Sequence, residues 1–187
     1  MKLIKLYFDH LRMFKNGKFE LDLFASDKVP ATDESASELL RPIYSNNVIA
    51  LAGINASGKS TALRLIELAA RVINGKSIGE GSASLAMATM FDGPSTFRCL
   101  VWHDASWYLV ESVLFRAGDV EEQDIPPISF GEERVYSIPS SKLTKKVLAS
   151  WDDLLGIAQL RYQRTKPDQG SRIVASFDVS ICPAVIS

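Results

Sequence analysis

A glycine-rich octapeptide is the part of the sequence best equipped for chemistry. It reads GINASGKS, from Gly53 to Ser60, and fits the spacing G-x-x-x-x-G-K-[ST] at every position. A polyphosphate carries several negative charges, and consecutive backbone N–H groups of such a loop can converge on them. Gly53 and Gly58 permit a close approach of the backbone that a side chain would obstruct. The spacing therefore predicts a binding loop for the phosphates of a nucleotide.

The residues at the end of this loop have distinct expected roles. Lys59 would place its ammonium group against the β- and γ-phosphates, which makes it the candidate catalytic residue. The hydroxyl group of Ser60 would ligate Mg²⁺. Thr61, at the expected helix start, would add a hydroxyl or N–H group near the α-phosphate, where the positive end of the helix dipole assists.

The elements on either side of the loop must position these residues. Val48–Ala52 is a short continuous apolar run, which is typical of a central parallel strand covered on both faces. After the loop, apolar residues recur at helical spacing, and Asn74-Gly75 provides a stop. These apolar residues are Ala62, Leu65, Ile66, Ala69 and Ile73. The stretch therefore predicts strand, loop and helix, the context that the motif requires.

The sequence before this stretch predicts a β-hairpin and a surface connection. Leu3–Phe8 and Lys18–Leu23 have the patterns of strands, and Asn16-Gly17 between them supplies turn chemistry. Residues 26–47 are polar at first, and we expect a short helix over Glu38–Arg41, ended by a proline.

The sequence after the helix predicts more antiparallel structure. Thr96–Trp102 and Trp107–Phe115 are typical of a strand pair with a turn between them. Lys76–Met90 is rich in Gly, Ser and Ala and predicts a mobile loop. A helix is expected over Ser141–Gly156, and Ile173–Val179 predicts a last strand.

Composition predicts one globular domain over residues 1–187. The chain has 47% apolar and 23% charged residues, with a net charge of -1, so it lacks the global charge that attracts nucleic acid or acidic lipid. Its start is broken by charge, which excludes a signal peptide or a membrane span there, and we expect a cytoplasmic protein. Cys99 and Cys182 lie far apart without a CxxC pattern, and we interpret both as buried thiols.

The expected segments are the hairpin (1–25), the connection (26–47), strand, loop and helix (48–75), antiparallel strands (96–136) and a late helix (141–156).

Three residues of the loop region also carry a resemblance to a known family. Asn55, Ser57 and Thr61 complete the form G-x-N-x-S-G-K-S-T, which resembles ABC-type ATPases, particularly their SMC, RecF and OLD relatives. The opening stretch LIKLYFDHLRMFKNGKFELDLF is similar to their N-terminal hairpin, and Leu11–Phe14 stands where they have a Phe-Arg-x-Phe type element. The resemblance implies an α/β fold: a P-loop NTPase core with an N-terminal β-hairpin and a flanking antiparallel sheet, here the N-terminal part of an ABC-type head.

The same resemblance implies a set of binding residues. Besides the residues already discussed, it assigns backbone contacts to the nucleotide at Asn55, Ala56 and Ser57, and makes Arg12 a candidate for reaching the phosphates. A solvated turn arginine is the alternative interpretation of Arg12.

The resemblance also implies ATP with Mg²⁺ as cofactors, and a homodimer in which two heads sandwich two ATP molecules. ATP binding would be coupled to assembly on DNA or with a nuclease or other effector, in DNA repair or antiphage defence, with no membrane partner.

Other parts that such ATPases need are not visible in the sequence. Ile128–Glu132 resembles the signature motif of these ATPases, which stands at the start of a helix. Pro139 and the extended pattern of Val135–Tyr136 argue against a helix here. Ile173–Asp178 imitates the strand that ends in Asp-Glu, but Val179 occupies the position of the glutamate. We therefore expect weak or absent hydrolysis by this chain alone.

Two further classes of function remain as alternatives. Thr165–Asp168 matches a guanine-binding element of GTPases and Asp153–Gly156 matches a D-x-x-G element, but the two lie too close together for the helix and strand that must separate them. A small-molecule kinase uses the same loop with an acceptor site that the sequence does not reveal. A nucleotide-binding regulatory subunit without turnover is the third hypothesis, beside the ATPase and the kinase.

Overall fold

A computed structural model describes residues 1–30, 34–53, 58–74, 87–116 and 128–164. Eight strands and three α-helices lie in these ranges. The strands are β1 (Lys2–Phe8), β2 (Phe19–Asp22), β3 (Ala36–Leu40), β4 (Ile43–Asn46), β5 (Ser95–His103), β6 (Ser106–Arg116), β7 (Ile128–Ile138) and β8 (Gln159–Arg164). The helices are α1 (Lys59–Ile73), α2 (Lys145–Ala149) and α3 (Trp151–Ile157), with a 3-10 turn at Ser140–Lys142.

Six of the strands form one antiparallel sheet in the order β2-β1-β5-β6-β7-β8. The register places one residue of each strand in a single row across it. This row runs Phe19, Phe8, Phe97, Ser112, Glu133 and Arg164. The ends of β1 and β8 therefore lie at the same end of the sheet.

Two apolar clusters cover the opposite faces of this sheet, because successive side chains of a strand point to opposite sides. In β5, Cys99 belongs to the cluster that packs against α1, whereas Leu100 belongs to the cluster beneath α2 and α3. The helix α1 contributes Leu65, Leu68 and Val72 to its cluster, all at most 1% exposed.

The mixed α/β class predicted from the sequence is confirmed, with a mostly antiparallel sheet of six strands. The N-terminal hairpin is present, and Gly17 adopts a positive φ of 64° in its turn. A turn at Asp104 and Ala105 connects β5 to β6, and these residues have φ values of 46° and 58°. Both turns have local chemistry that is readable in the sequence.

The predicted strand at Val48–Ala52 is wrong for the described residues. This segment belongs to none of the strands, and Val48 is 78% exposed. Its apolar composition is typical of a covered strand, but no described strand pairs with it. The core of the sheet is instead built without it.

Two helix predictions also need correction. Glu38–Arg41 is not a helix, because β3 and β4 form an antiparallel hairpin here and Leu40 pairs with Ile43 around a cis peptide bond before Pro42. The late helix is interrupted at Ser150, whose hydroxyl accepts a hydrogen bond from the Asp153 backbone and caps α3. The apolar periodicity of the predicted helix was correct, but capping chemistry in its middle divides it.

Several sequence predictions fall partly or wholly outside the described residues. The expected loop over Lys76–Met90 is described only from Met87, which is buried with Met90 in the cluster under α1. The expected strand Ile173–Val179 lies beyond the described part. No described helix is long and apolar enough to cross a membrane.

Candidate functional site

The glycine motif ends at the start of α1, a helix of 15 residues. Gly58 is its N-cap and adopts φ 86° and ψ 7°, a left-handed conformation that L-residues with a side chain rarely adopt. Gly58 has no side chain to cap this helix start, and the first turn holds no acidic residue. The helix dipole therefore presents a positive end with nothing acidic of its own to neutralise it.

The side chain of Lys59 reaches back to Gly53. Its Nζ atom donates a hydrogen bond of 2.7 Å to the carbonyl oxygen of Gly53. Lys59 is partly buried and Ser60 is exposed, so the ammonium and the hydroxyl groups lie at the protein surface beside the helix start. The structure thereby brings together the first glycine and the lysine of the motif.

The hairpin loop between β1 and β2 packs against this helix start. A side chain added to Gly58 would lie 3.9 Å from the Cε1 atom of Phe14, an ordinary contact distance. The ring of Phe14 also packs on Phe19, with 5.4 Å between centroids. The loop is held by backbone hydrogen bonds from Leu11 to Gly17 (2.9 Å) and from Gly17 to Phe14 (2.8 Å). Sequence reasoning placed this element in the chain but missed its role as a support for Gly58.

Arg12 belongs to the same loop and carries a weak ion pair. Its Nε atom lies 3.3 Å from Oδ1 of Asp92, and the two side chains are 46% and 70% exposed. Its backbone N–H donates to the carbonyl oxygen of Met90 at 3.0 Å, which fixes the position of the residue. An ion pair so exposed contributes about 0–1 kcal/mol, so the guanidinium group can leave Asp92 at little cost. Asp92 is a residue that sequence reasoning did not identify.

A further carboxylate fixes the end of β1. Oδ1 of Asp9 accepts a hydrogen bond of 2.6 Å from the backbone of Thr96, and lies 2.9 Å from Nδ1 of His10. The hydroxyl group of Ser95 donates to the Asp9 carbonyl at 2.7 Å. These bonds tie β1 to β5 just before the loop turns toward Gly58, and no motif in the sequence signals them.

The described residues fit an anionic ligand better than they fit a metal ion alone. Gly58, Lys59, Ser60 and Thr61 lie at the positive start of α1, where Gly58 itself offers no side-chain cap. In the described ranges no group of three or more His, Cys, Asp or Glu side chains could hold a metal ion. Asn55, Ala56 and Ser57 of the predicted site lie outside the described residues.

The other motif matches in the sequence do not form a second site. Residues of the signature imitation Ile128–Glu132 lie inside strand β7. Gly131 in it has a packing role, because a side chain there would collide with the ring of Phe115. Asp153 lies in helix α3, as the sequence predicted. Thr165–Asp168 and Ile173–Asp178 lie outside the described residues.

Comparison with known proteins identifies no relative of this chain: no family model matches, and no curated protein or solved structure matches either. The fold and the site together define a mixed α/β protein with a glycine loop at the start of a helix that packs on an antiparallel sheet.

Proposed function

We propose that residues Gly53–Thr61 bind the triphosphate of ATP together with Mg²⁺. The observation that carries this proposal is the contact of Lys59 Nζ with the Gly53 carbonyl, 2.7 Å long, across a loop that ends at a left-handed Gly58. Both ends of the G-x-x-x-x-G-K-S motif are thus held at one helix start. A ligand phosphate could replace the Gly53 carbonyl as the acceptor for the Lys59 ammonium group.

Each residue of the proposed site has a separate task. Lys59 neutralises the β- and γ-phosphates, and the backbone N–H groups at the helix start donate to phosphate oxygens. Ser60 offers its exposed hydroxyl to Mg²⁺, which when bound would neutralise phosphate charge. Asn55, Ala56 and Ser57 belong to the proposed site on sequence grounds alone. Arg12 reaches the phosphates after leaving Asp92.

The wider proposal is that the chain is the N-terminal part of an ABC-type head with a P-loop NTPase core, of the SMC/RecF/OLD kind. It is supported by the order of hairpin, glycine loop and helix, and by the antiparallel sheet against which α1 packs. ATP binding would then promote association of two heads, coupled to DNA or to a nuclease or other effector. DNA repair and antiphage defence are the processes that this proposal predicts.

A specific observation favours binding without turnover as the second candidate. In the described ranges no cluster of His, Cys, Asp or Glu could hold a metal ion, and the first turn of α1 is without acidic residues. The described residues therefore offer Mg²⁺ the Ser60 hydroxyl but no group of three or more ligating side chains to hold it beside an attacking water. A regulatory subunit that binds ATP needs no more than this.

Calorimetry of Mg²⁺-ATP binding tests the proposal. The Lys59→Ala variant should bind at least about tenfold more weakly, since an ion-assisted contact of about 1.4 kcal/mol or more is lost. Lys146→Ala is the matched control, because Lys146 is an exposed lysine in α2, on the opposite face of the sheet, and should leave the affinity unchanged. Equal affinities of wild type and Lys59→Ala would refute the phosphate site.

Measurement of phosphate release separates the two candidates. For an ATPase head that acts as a dimer, the rate of phosphate release should rise with the square of the protein concentration when that concentration is low. Alternatively, release should occur only when DNA is added. A regulatory subunit should bind ATP with the same dependence on Lys59 and release no phosphate under either condition.

A further inference from the structure

The segment Val48–Ala52 leaves apolar side chains and backbone groups uncovered. Val48 is 78% exposed and Ile49 41% exposed. Backbone pairing stops just before them, where Asn46 and Asn47 donate 2.8 Å hydrogen bonds to the carbonyls of Leu23 and Ser35. From Val48 to Ala52 no backbone hydrogen bond joins another described residue. Only Leu51 packs against the core, in the cluster under α1.

An apolar groove continues from this segment along α1. It has a volume of about 430 Å³, and Asn47 at its edge directly precedes Val48. Its apolar lining includes Leu3 of β1, Leu23 after β2, and Ile66 and Ile73 of helix α1. Leu63, one helical turn before Ile66, is 58% exposed. The groove ends at Asn47, where the segment with the exposed Val48 begins, and monomeric proteins generally keep uncovered apolar surface small.

The direction of this surface is fixed by contacts at its two ends. Lys2, at the start of β1, donates from Nζ to Oδ1 of Asn47 at 3.1 Å. Gly53 lies beside Lys59, at the helix start that Phe14 supports. Val48–Gly53 therefore runs in the direction of β1, and Gly53 lies toward the end of the sheet where β1 finishes.

One stretch of the sequence outside the described residues has the pattern that this surface needs. From Ser171 to Cys182 the chain has neither Gly nor Pro, and every second residue from Ile173 to Ile181 is apolar. These residues are Ile173, Ala175, Phe177, Val179 and Ile181. The alternation is typical of a strand with one buried face.

The chain after β8 is long enough to reach β1, the strand whose start contacts Asn47. Arg164, its last residue, lies in the same row of the sheet as Phe8. Four strand spacings of about 4.8 Å separate β8 from β1, about 19 Å in all. Nine Cα–Cα steps lead from Arg164 to Ile173 and reach at most about 30 Å. The path from Arg164 is shorter to the Gly53 end of the segment than to the Val48 end, so the chain meets Gly53 first. It then runs back toward Val48, which gives an antiparallel pairing.

We propose that residues Ile173–Ile181 dock as an antiparallel strand beside Val48–Ala52, with Ala175 near Ala50. The docked strand covers Val48 and Ile49 and supplies backbone partners for the segment that leads into the glycine loop. The docked strand covers the segment whether or not a nucleotide is bound.

Disulfide trapping in the full chain without nucleotide tests the pairing. In a Cys182→Ser background, Ala50→Cys is combined with a cysteine at 174, 175 or 176, and Cys99 stays protected by its burial. Mild oxidation should give an intramolecular disulfide for at least one pair, and several-fold less for the control pair of Ala50→Cys with Ala184→Cys. Disulfides only between chains would assign the surface to a second copy, and no preference over the control would overturn the proposal.

Hydrogen exchange gives a second measurement that needs no new disulfide. The amides of Val48–Ala52 should exchange at least about tenfold more slowly than in an unstructured peptide. Ala175→Pro should remove this protection while β5 and β6 stay protected, whereas Gln169→Pro in the connecting stretch should not. Unprotected amides in the wild type, or protection that survives Ala175→Pro, would overturn the pairing.

Discussion

The Nζ atom of Lys59 and the carbonyl oxygen of Gly53 lie 2.7 Å apart, a contact that joins the two ends of the glycine motif. The helix α1 begins directly after Gly58, which adopts a left-handed conformation. The site therefore depends on one backbone conformation as much as on the lysine.

Gly58→Ala should destabilise the protein by about 1–2 kcal/mol, because the left-handed conformation crowds a side chain against its own backbone. The cost does not come from a collision, since the nearest atom to the added group is Phe14 Cε1 at 3.9 Å. Urea denaturation measures the change. Gly156→Ala is the control: nothing lies within 4 Å of its added group, and in α3 the alanine should stabilise by about 0.5–1 kcal/mol. Equal effects of the two substitutions would contradict the assigned backbone conformation.

Arg12→Ala should weaken ATP binding by about tenfold while leaving stability within about 0.5 kcal/mol of the wild type. The free energy of unfolding should change little because both side chains of the Arg12–Asp92 pair are exposed. Arg71→Ala is the matched control, since Arg71 forms a similar pair with Glu67 in the last turns of α1, 3.1 Å long. If both variants bind ATP like the wild type, Arg12 is a solvated turn residue.

Lys5 should matter less for stability than the two carboxylates that neutralise it. Its ammonium group is fully buried and lies 2.6 Å from Glu20 and 2.7 Å from Asp22, over the ring of Trp151. Removing both carboxylates in Glu20→Gln/Asp22→Asn leaves a buried charge without a counter-ion and should cost about 3 kcal/mol or more. Lys5→Met keeps the packing and leaves half-exposed carboxylates to water, so it should lie within about 1 kcal/mol of the wild type. Thermal or urea unfolding would rank the variants, and the reverse order would show that the ion pairs are a net source of stability.

Gly131→Ala should cost about 1–3 kcal/mol through overpacking, because the added methyl group would collide with the ring of Phe115. Phe115→Leu should remove most of that penalty, so the two substitutions should be strongly non-additive in a double-mutant cycle. Additive free energies of unfolding would mean that the two residues are not in contact across β6 and β7.

Alkaline pH should destabilise the protein partly through Cys99. Burial raises the pKa of this thiol well above its usual range. The folded state therefore keeps the thiol proton, while the unfolded state loses it above about pH 8.5. The stability that this thiol contributes is fully present below that pH. Above it, the free energy of unfolding falls by up to about 1.4 kcal/mol per pH unit. Urea midpoints of the wild type should decline more steeply between pH 8 and pH 10 than those of Cys99→Ala. Parallel profiles would show that the thiol is accessible to solvent in the folded protein.

The sequence determined those features that depend on neighbours along the chain. Strand alternation predicted β2, turn chemistry at Asn16-Gly17 predicted the first hairpin, and helical spacing predicted α1 with its end at Asn74. The glycine motif could be recognised because phosphate binding needs its residue types at fixed spacing. Such patterns are local, so the sequence contains them completely.

Only the tertiary structure decided which segments found partners. Val48–Ala52 has the composition of a covered strand but is left unpaired among the described residues, and residues 36–46 pair with each other instead of forming a helix. The support of Gly58 by Phe14 joins residues 44 positions apart, and Gly131 makes room for Phe115 from the neighbouring strand. A local pattern cannot specify these relationships, because pairing and packing depend on which distant surface offers the complementary shape and hydrogen bonds.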